Sequence, residues 1–201
     1  MDDATRQKWN RAASGYDRLG ARAAELRWAA YKRNLFSHMS GRILFLAVGT
    51  GLDISFFPPG QDITGIDISE KMLEKAKPRV DAYDGVFELH QMDVHDLNFA
   101  EGHFDQVYTS CTFCSVPRPI EGLKQLRRVL RPGGELRMFE HTGSRWFPFN
   151  VMLHAMTPIS RSLGPEVNRP TVENVRAAGF EVHKVVNHYL DVVKSIEAKK
   201  P

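Results

Sequence analysis

A chain of 201 residues, 42% hydrophobic and 25% charged, suits one folded core and leaves little for a second. A net charge of +3 is too small to imply nucleic acid, no run of about 18 apolar residues suggests a transmembrane span, and two cysteines make no disulfide scaffold. The opening MDDATRQKWNRAASGYD lacks the apolar stretch of a signal peptide, so the expected address is cytoplasmic.

Helical spacing runs from about Thr5 to Ala13 (Trp9, Ala12, Ala13, then Tyr16) and from Tyr16 to Met39 (Leu19, Ala23, Leu26, Ala30), with Gly15 as a break. In this front segment basic residues from Arg6 to Arg42 outnumber Asp2, Asp3, Asp17 and Glu25. The apolar run ILFLAV at 43–48 reads as a buried strand entering the turn Gly49-Thr50-Gly51. A second strand at 63–66 ends in Asp67, and Ser69 caps a helix through Lys77 with only a partial capping box. Strands follow at 86–92 and 104–109, then a helix from Pro119 to Leu130, the turn Arg131–Gly134 and the strand ELRMFEH. Beyond Gly143 come an apolar-rich helix from Phe147 to Ile159, a polar link through Asn168, a helix from Thr171 to Ala178, and two strands near 180–186 and 189–194 forming a closing hairpin. Strands alternating with helices at these intervals predict a doubly wound α/β domain with a mostly parallel sheet, spanning residues 1–201 as one unit with residues 1–39 as a helical cap.

In such a sheet ligands bind beyond the carboxyl ends of the strands. Gly49, Thr50 and Gly51 let backbone approach a nucleoside; Asp67, with Ile68 after it, can accept bonds from two ribose hydroxyls; Asp93, between Met92 and Val94, can take an adenine amino group. The bland alternative is a tight turn with solvated loop carboxylates. A nicotinamide enzyme would offer a third glycine, but GTGLDISF places Ile54 there. Cys111 and Cys114 lack the further ligands of a metal site and read as pocket-lining or buried thiols.

The order ILFLAVGTG, TGIDIS, QMDVHDLNF, FDQVYTSCTFCSV, LRRVLRPGGELRMFEH resembles the class I S-adenosylmethionine-dependent methyltransferases, strongly over about residues 40–141. TFCSVP, LRPGG, FEH and NRPT together resemble the bacterial phosphatidylethanolamine N-methyltransferase group. The pattern is also similar to mammalian lipid-droplet proteins that methylate alkyl thiols, and the scaffold to ubiquinone/menaquinone C-methyltransferases. The resemblance implies a seven-stranded sheet and S-adenosyl-L-methionine as cofactor. It puts Gly49, Thr50 and Gly51 at the methionine part, Asp67 at the ribose, Asp93 at the adenine edge, and Ser110 or Cys111 beside the sulfonium. Two departures stand out: Phe45 replaces the family's acidic residue and Ala47 its glycine. Ala47 is expected to be tolerated on the premise that its φ is negative.

Methyl transfer to an ethanolamine nitrogen needs that nitrogen deprotonated. Tyr16, Asp17 and His141 are candidates for orienting it or relaying the proton, His141 because it follows the end of a central strand. A structural histidine is the alternative. Arg169, Asn168 and Arg22 are candidates for the lipid phosphate. The stretch WFPFNVMLHAMTPI suits a lid, an acyl groove or ordinary packing equally. Trp9, Leu19, Leu26, Trp28, Tyr31, Leu35 and Phe36 among basic residues have the composition of an interfacial helix, or of one that caps a pocket. The expected partner is a phospholipid at an anionic membrane surface, contacted peripherally from its inner face. An inactive cofactor-binding protein is the non-enzyme alternative.

Overall fold

Alternation along the first strand builds the molecule outward in two directions. In β1 (Arg42–Leu46) Leu44 and Leu46 face one core, while Ile43 and Phe45 face another. A strand buried on both faces is nearly all apolar, and ILFL is. The computed structural model describes residues 1–18, 22–163 and 165–201. Around β1 lie β2 (Asp62–Asp67), β3 (Val86–Gln91), β4 (Phe104–Ser110), β5 (Leu130–His141), β6 (Glu181–Tyr189) and β7 (Val193–Lys199). They form one sheet in the order β3-β2-β1-β4-β5-β7-β6, parallel except for β7, which is antiparallel to both neighbours. The order reverses at β1 and β4, which opens a crevice at their carboxyl ends.

Helices cover both faces. α4 (Pro119–Val129) and α6 (Thr171–Ala177) pack Leu123, Leu126 and Val175 against Leu136 and Met138. α2 (Arg22–Phe36) and α3 (Glu70–Asp81) put Leu35, Phe36, Leu73 and Ala76 on the opposite face with Phe139 and Tyr108. α1 (Asp3–Ala12) buries no residue within the body of the fold, and α5 (Phe149–Leu163) follows β5.

The sequence pattern places the strands of the parallel half correctly, and several limits differ. α2 begins at Arg22, after turns at Ala13–Tyr16; Leu19, used in the periodic pattern, lies outside the described residues. α3 runs past Lys77 to Asp81 with Pro78 inside it, its amphipathic packing outweighing one lost backbone bond. Arg131–Gly134 joins β5, which shifts register between Phe104 and Gln106. The closing turn falls at Leu190–Val192, because β6 continues to Tyr189 and Leu190 takes φ +48.

Phe45 is fully buried, edge-on to Phe36 at 5.8 Å and to Phe57 at 5.0 Å between ring centres. This cluster fills the place where the family resemblance puts a carboxylate. Phe45→Glu, which restores that carboxylate, is therefore expected to cost about 3 kcal/mol or more, measured by urea unfolding.

Candidate active site

The crevice holds a cavity of about 780 Å³, its open mouth included. Leu46, Ala47 and Gly49 wall it after β1, Asp67 and Ile68 after β2, Met92 to His95 after β3, and Ser110 to Thr112 after β4. α3 contributes Met72, and the segment beyond β4 contributes Ser115, Val116 and Pro117. A Cβ built on Gly49 would meet nothing closer than Ala47 O at 4.0 Å, so the glycine leaves open space. Ser110 Oγ is buried there without a partner. Among the described residues no cluster could hold a metal ion.

Asp67 ties the strand ends together. Its Oδ2 accepts the Gly49 N–H at 2.9 Å and its Oδ1 the Ser69 N–H at 2.8 Å. Burial pushes its carboxyl up to about 6 against the lowering pull of the Ser69, Gly49 and Ile68 amides. Asp93 accepts the His95 N–H at 3.0 Å, contacts its ring Nδ1 at 2.6 Å and accepts the Asp2 N–H at 2.8 Å. Burial opposes ionisation of Asp93, but the His95 and Asp2 bonds outweigh it and hold the carboxyl below its usual range. A carboxylate has about four lone-pair sites, so both groups keep capacity for hydroxyl or amino donors.

The amino-terminal segment closes the cavity, with Asp2, Thr5, Trp9 and Tyr16 on its wall. It reaches all three leading strand ends. Asp2 meets Asp93 beyond β3. Asn10 accepts the Ser69 hydroxyl beyond β2 and donates to Glu70 at 2.7 Å. Asp17 accepts the Thr50 hydroxyl at 2.6 Å beyond β1 and pairs with Arg79 at 2.9 Å. Sequence reading did not find Asp2, Thr5 and Asn10; the one local signal was the helix cap at Asp2, which accepts the Thr5 N–H.

The structure brings Tyr16, Gly49, Asp67, Ile68, Asp93, Val94, Ser110 and Cys111 to the cavity wall. Thr50 is 1% exposed and turned to Asp17, while a Cβ built on Gly51, at φ +84, would come within 3.3 Å of Ala76. Asp17 stands behind the wall as the partner of Thr50. Cys111 and Cys114 are free thiols; Cys111 is exposed and faces the cavity, while burial pushes Cys114 up to about 12. His141 ends β5 outside the cavity lining, with Nδ1 buried and unpartnered, and burial lowers its pKa. Arg169 pairs with Glu166 at 3.1 Å but keeps a buried, unpartnered Nε; the Asn168 backbone sits against Gly143. The Arg22 side chain lies outside the described residues. Ala47 corrects an expectation: its φ is +58, the left-handed region that favours glycine.

A doubly wound sheet, an open glycine at its first turn and an acidic residue closing each of the next two strand registers define a nucleoside-cofactor fold. A methyltransferase domain family matches residues 44–138. The chain is 31% identical over 154 residues to a phosphatidylethanolamine N-methyltransferase of Cereibacter sphaeroides, covering 69% of this chain and 76% of that one. It is 36% identical to the ubiquinone/menaquinone biosynthesis C-methyltransferase UbiE of Geotalea daltonii (57% of this chain, 52% of that one) and 37% identical to the thiol S-methyltransferase TMT1B of Homo sapiens (55% and 50%). The chain thus spans about half the length of these last two. In fold it matches a Thermotoga maritima SAM-dependent methyltransferase, a possible histamine N-methyltransferase, at TM-score 0.71 and 18% identity over 98% of this chain and 100% of that one. The chain belongs to the class I S-adenosylmethionine-dependent methyltransferases, and its cofactor is S-adenosyl-L-methionine. The open Gly49 cradle and the orphaned Ser110 hydroxyl fit that group.

Ala47→Gly should raise stability by about 1 kcal/mol by relieving the left-handed alanine, read as a higher denaturation midpoint. Asp17→Ala removes the tie from the front segment to Thr50 and Arg79. It should speed cofactor dissociation by about three- to tenfold in stopped-flow measurements, with association little changed.

Proposed function

We propose that this enzyme transfers methyl groups to the ethanolamine nitrogen of phosphatidylethanolamine, giving the monomethyl lipid and further methylated products, at an anionic membrane surface. The observation that carries the reading is the His141 ring nitrogen, buried without a partner at the end of β5. Support also comes from the phosphatidylethanolamine N-methyltransferase relative, aligned over most of both chains.

When bound, S-adenosylmethionine supplies an electrophilic methyl group on a sulfonium leaving group. The protein's work is then to align the nucleophile and to deprotonate it. Because burial lowers the His141 pKa below its ordinary 6.5, the ring is neutral at pH 7; its unpartnered Nδ1 is buried outside the cavity lining, so on this reading it receives the ammonium proton by relay rather than by direct contact. Tyr16 stands on the cavity wall to orient the amine. Asp17 contributes through Thr50 rather than by touching the acceptor. On this reading Arg169 offers its free Nε–H to the phosphate, beside Asn168 and with Arg22 as a further cation.

A lipid acceptor also needs an apolar approach. Trp146 and Phe147 are 60% and 81% exposed, and Val151, Met152 and Met156 continue an outward apolar stripe on α5. α2 turns Leu35 and Phe36 into the core and leaves Leu26 and Tyr31 outside. No helix among the described residues is long and apolar enough to cross a membrane, so contact on this reading is peripheral.

A lipophilic thiol or quinone precursor is the second reading, favoured by the apolar walls Leu46, Met72, Met92, Val116 and Pro117 and by the thiol and quinone relatives. Purified protein with S-adenosylmethionine and anionic vesicles containing phosphatidylethanolamine should yield lipid heavier by about 14 mass units per methyl added. His141→Gln should lower kcat by about tenfold or more with cofactor affinity retained. Unchanged lipid masses with normal cofactor binding would transfer the assignment to the thiol or quinone acceptor.

A further inference from the structure

The mechanism above leaves one fully buried carboxylate unused. Glu140 is 0% exposed, and each of its contacts is a donor. Its Oε1 accepts the Thr109 hydroxyl at 2.7 Å and the Thr112 N–H at 3.2 Å, and its Oε2 accepts the Phe113 N–H at 3.1 Å. Thr109 precedes the cavity-wall residues Ser110, Cys111 and Thr112, and Phe113 follows them. Glu140 therefore grips that wall from both sides. The grip coincides with strain: Cys111 sits at φ +52, and its N–H donates to Phe139 O at 2.7 Å. A left-handed non-glycine residue persists only where its surroundings over-determine it.

The geometry points to Glu140 as a positioning residue for methyl transfer, a carboxylate that fixes the Ser110–Thr112 wall by accepting the Thr109 hydroxyl before it and the Thr112 and Phe113 amides at its far end. The inference rests on the reading of this cavity as the site of methyl transfer. The ionised form serves all three donors with charge-assisted bonds. Protonation removes that charge from the two amide bonds, and a proton on Oε1 is met only if the Thr109 hydroxyl turns round to accept it.

The charged and titratable groups around Glu140 come from several elements. Lys32 of α2 pairs with Asp53 of the 3-10 helix Leu52–Phe56 at 2.8 Å and acts on Glu140. Cys111 and Cys114 lie on the gripped segment, His141 is the next residue of β5, and Arg169 acts on Cys114. Burial raises the Glu140 carboxyl to about 7 against the Thr109, Thr112 and Phe113 bonds and Lys32. The gripping carboxyl is thus half ionised at about pH 7, and the grip strengthens above it and weakens below it, a higher range than the one in which buried His141 titrates.

The test compares Glu140→Gln and Glu140→Asp with the unaltered chain, using phosphatidylethanolamine vesicles and S-adenosylmethionine from pH 6 to pH 8.5. Glu140→Gln keeps the shape but sets an NH₂ group against donors. It should lower kcat by about tenfold or more while the cofactor Kd changes by less than about threefold. The unaltered enzyme should lose kcat as pH falls through about 7. The inflection near pH 7 should vanish in Glu140→Gln, leaving the slope set by deprotonation of the amine, and Glu140→Asp should recover part of kcat. An unaltered kcat and pH profile in Glu140→Gln overturns the proposal, as does a loss of Kd and melting temperature in step with kcat. A second readout needs no acceptor: the limiting alkylation rate of the fully ionised Cys111 thiolate in a Cys114→Ala background, taken at high pH so that the effect of the Glu140 charge on the Cys111 pKa drops out. Adding Glu140→Gln should raise that rate about fivefold or more by loosening the wall, and equal rates overturn the proposal. If the vesicles are not methylated by the unaltered enzyme, the acceptor assignment fails, and alkylation still decides the role of Glu140.

Discussion

The site depends on a carboxylate that organises backbone before it binds anything. Asp67, at the end of β2, takes the Gly49 N–H from the turn after β1 and the Ser69 N–H from the start of α3. One buried side chain thereby sets the separation of two strand ends and aims a helix start at the crevice between them. A buried carboxylate is stable here because backbone donors supply what water would otherwise provide. Asp67 also lines the cavity and keeps acceptor capacity beyond these two bonds, so the group that shapes the site is chemically suited to hold a ribose.

Closure of the site follows from that arrangement. Each of the first three strand ends presents a polar group, and the amino-terminal segment meets each one: Thr50 through Asp17, Ser69 through Asn10, and Asp93 through Asp2. Trp9 and Tyr16, in edge contact at 6.2 Å, lie between these ties as part of the wall. The segment is therefore held by polar contacts at the rim rather than by deep apolar burial, since α1 buries none of its residues. Such attachments are individually modest, which suits a cover over a cofactor that must enter and leave.

The two departures from the family's first motif have different physical consequences. Phe45 turns a polar position into part of an aromatic cluster with Phe36 and Phe57, gaining apolar packing beneath the turn. Ala47 retains the left-handed backbone of the glycine it replaces and carries a methyl group there at a cost. The turn keeps its shape because Gly49 and Gly51, both at positive φ, remain, and because Val48 donates to Ile66 O at 3.1 Å. Charge in this region lies deeper, in the buried Lys32–Asp53 pair that links α2 to the 3-10 helix. Across the cavity, Glu140 holds the opposite wall by the device that Asp67 uses, a buried acid bonded to backbone amides.

By itself the sequence determined the elements, the parallel half of the sheet, and the acidic residues at the strand ends. Those features are local: the unbroken apolar run ILFL, the glycine turn, the Ser69 cap and the acids at the ends of the second and third strands are each legible within a few residues. Tertiary structure decided which side chains meet. Asp2 and Asp93 are 91 residues apart, Asp17 and Thr50 are 33 apart, and Thr109 and Glu140 are 31 apart. No periodicity links such pairs. It also decided that Thr50 turns away from the cavity, that His141 keeps an unpartnered nitrogen just outside its lining, and that the hairpin turns at Leu190. Each of these is settled by strand register and by competition for a limited number of buried donors and acceptors, quantities that exist only once the sheet has formed.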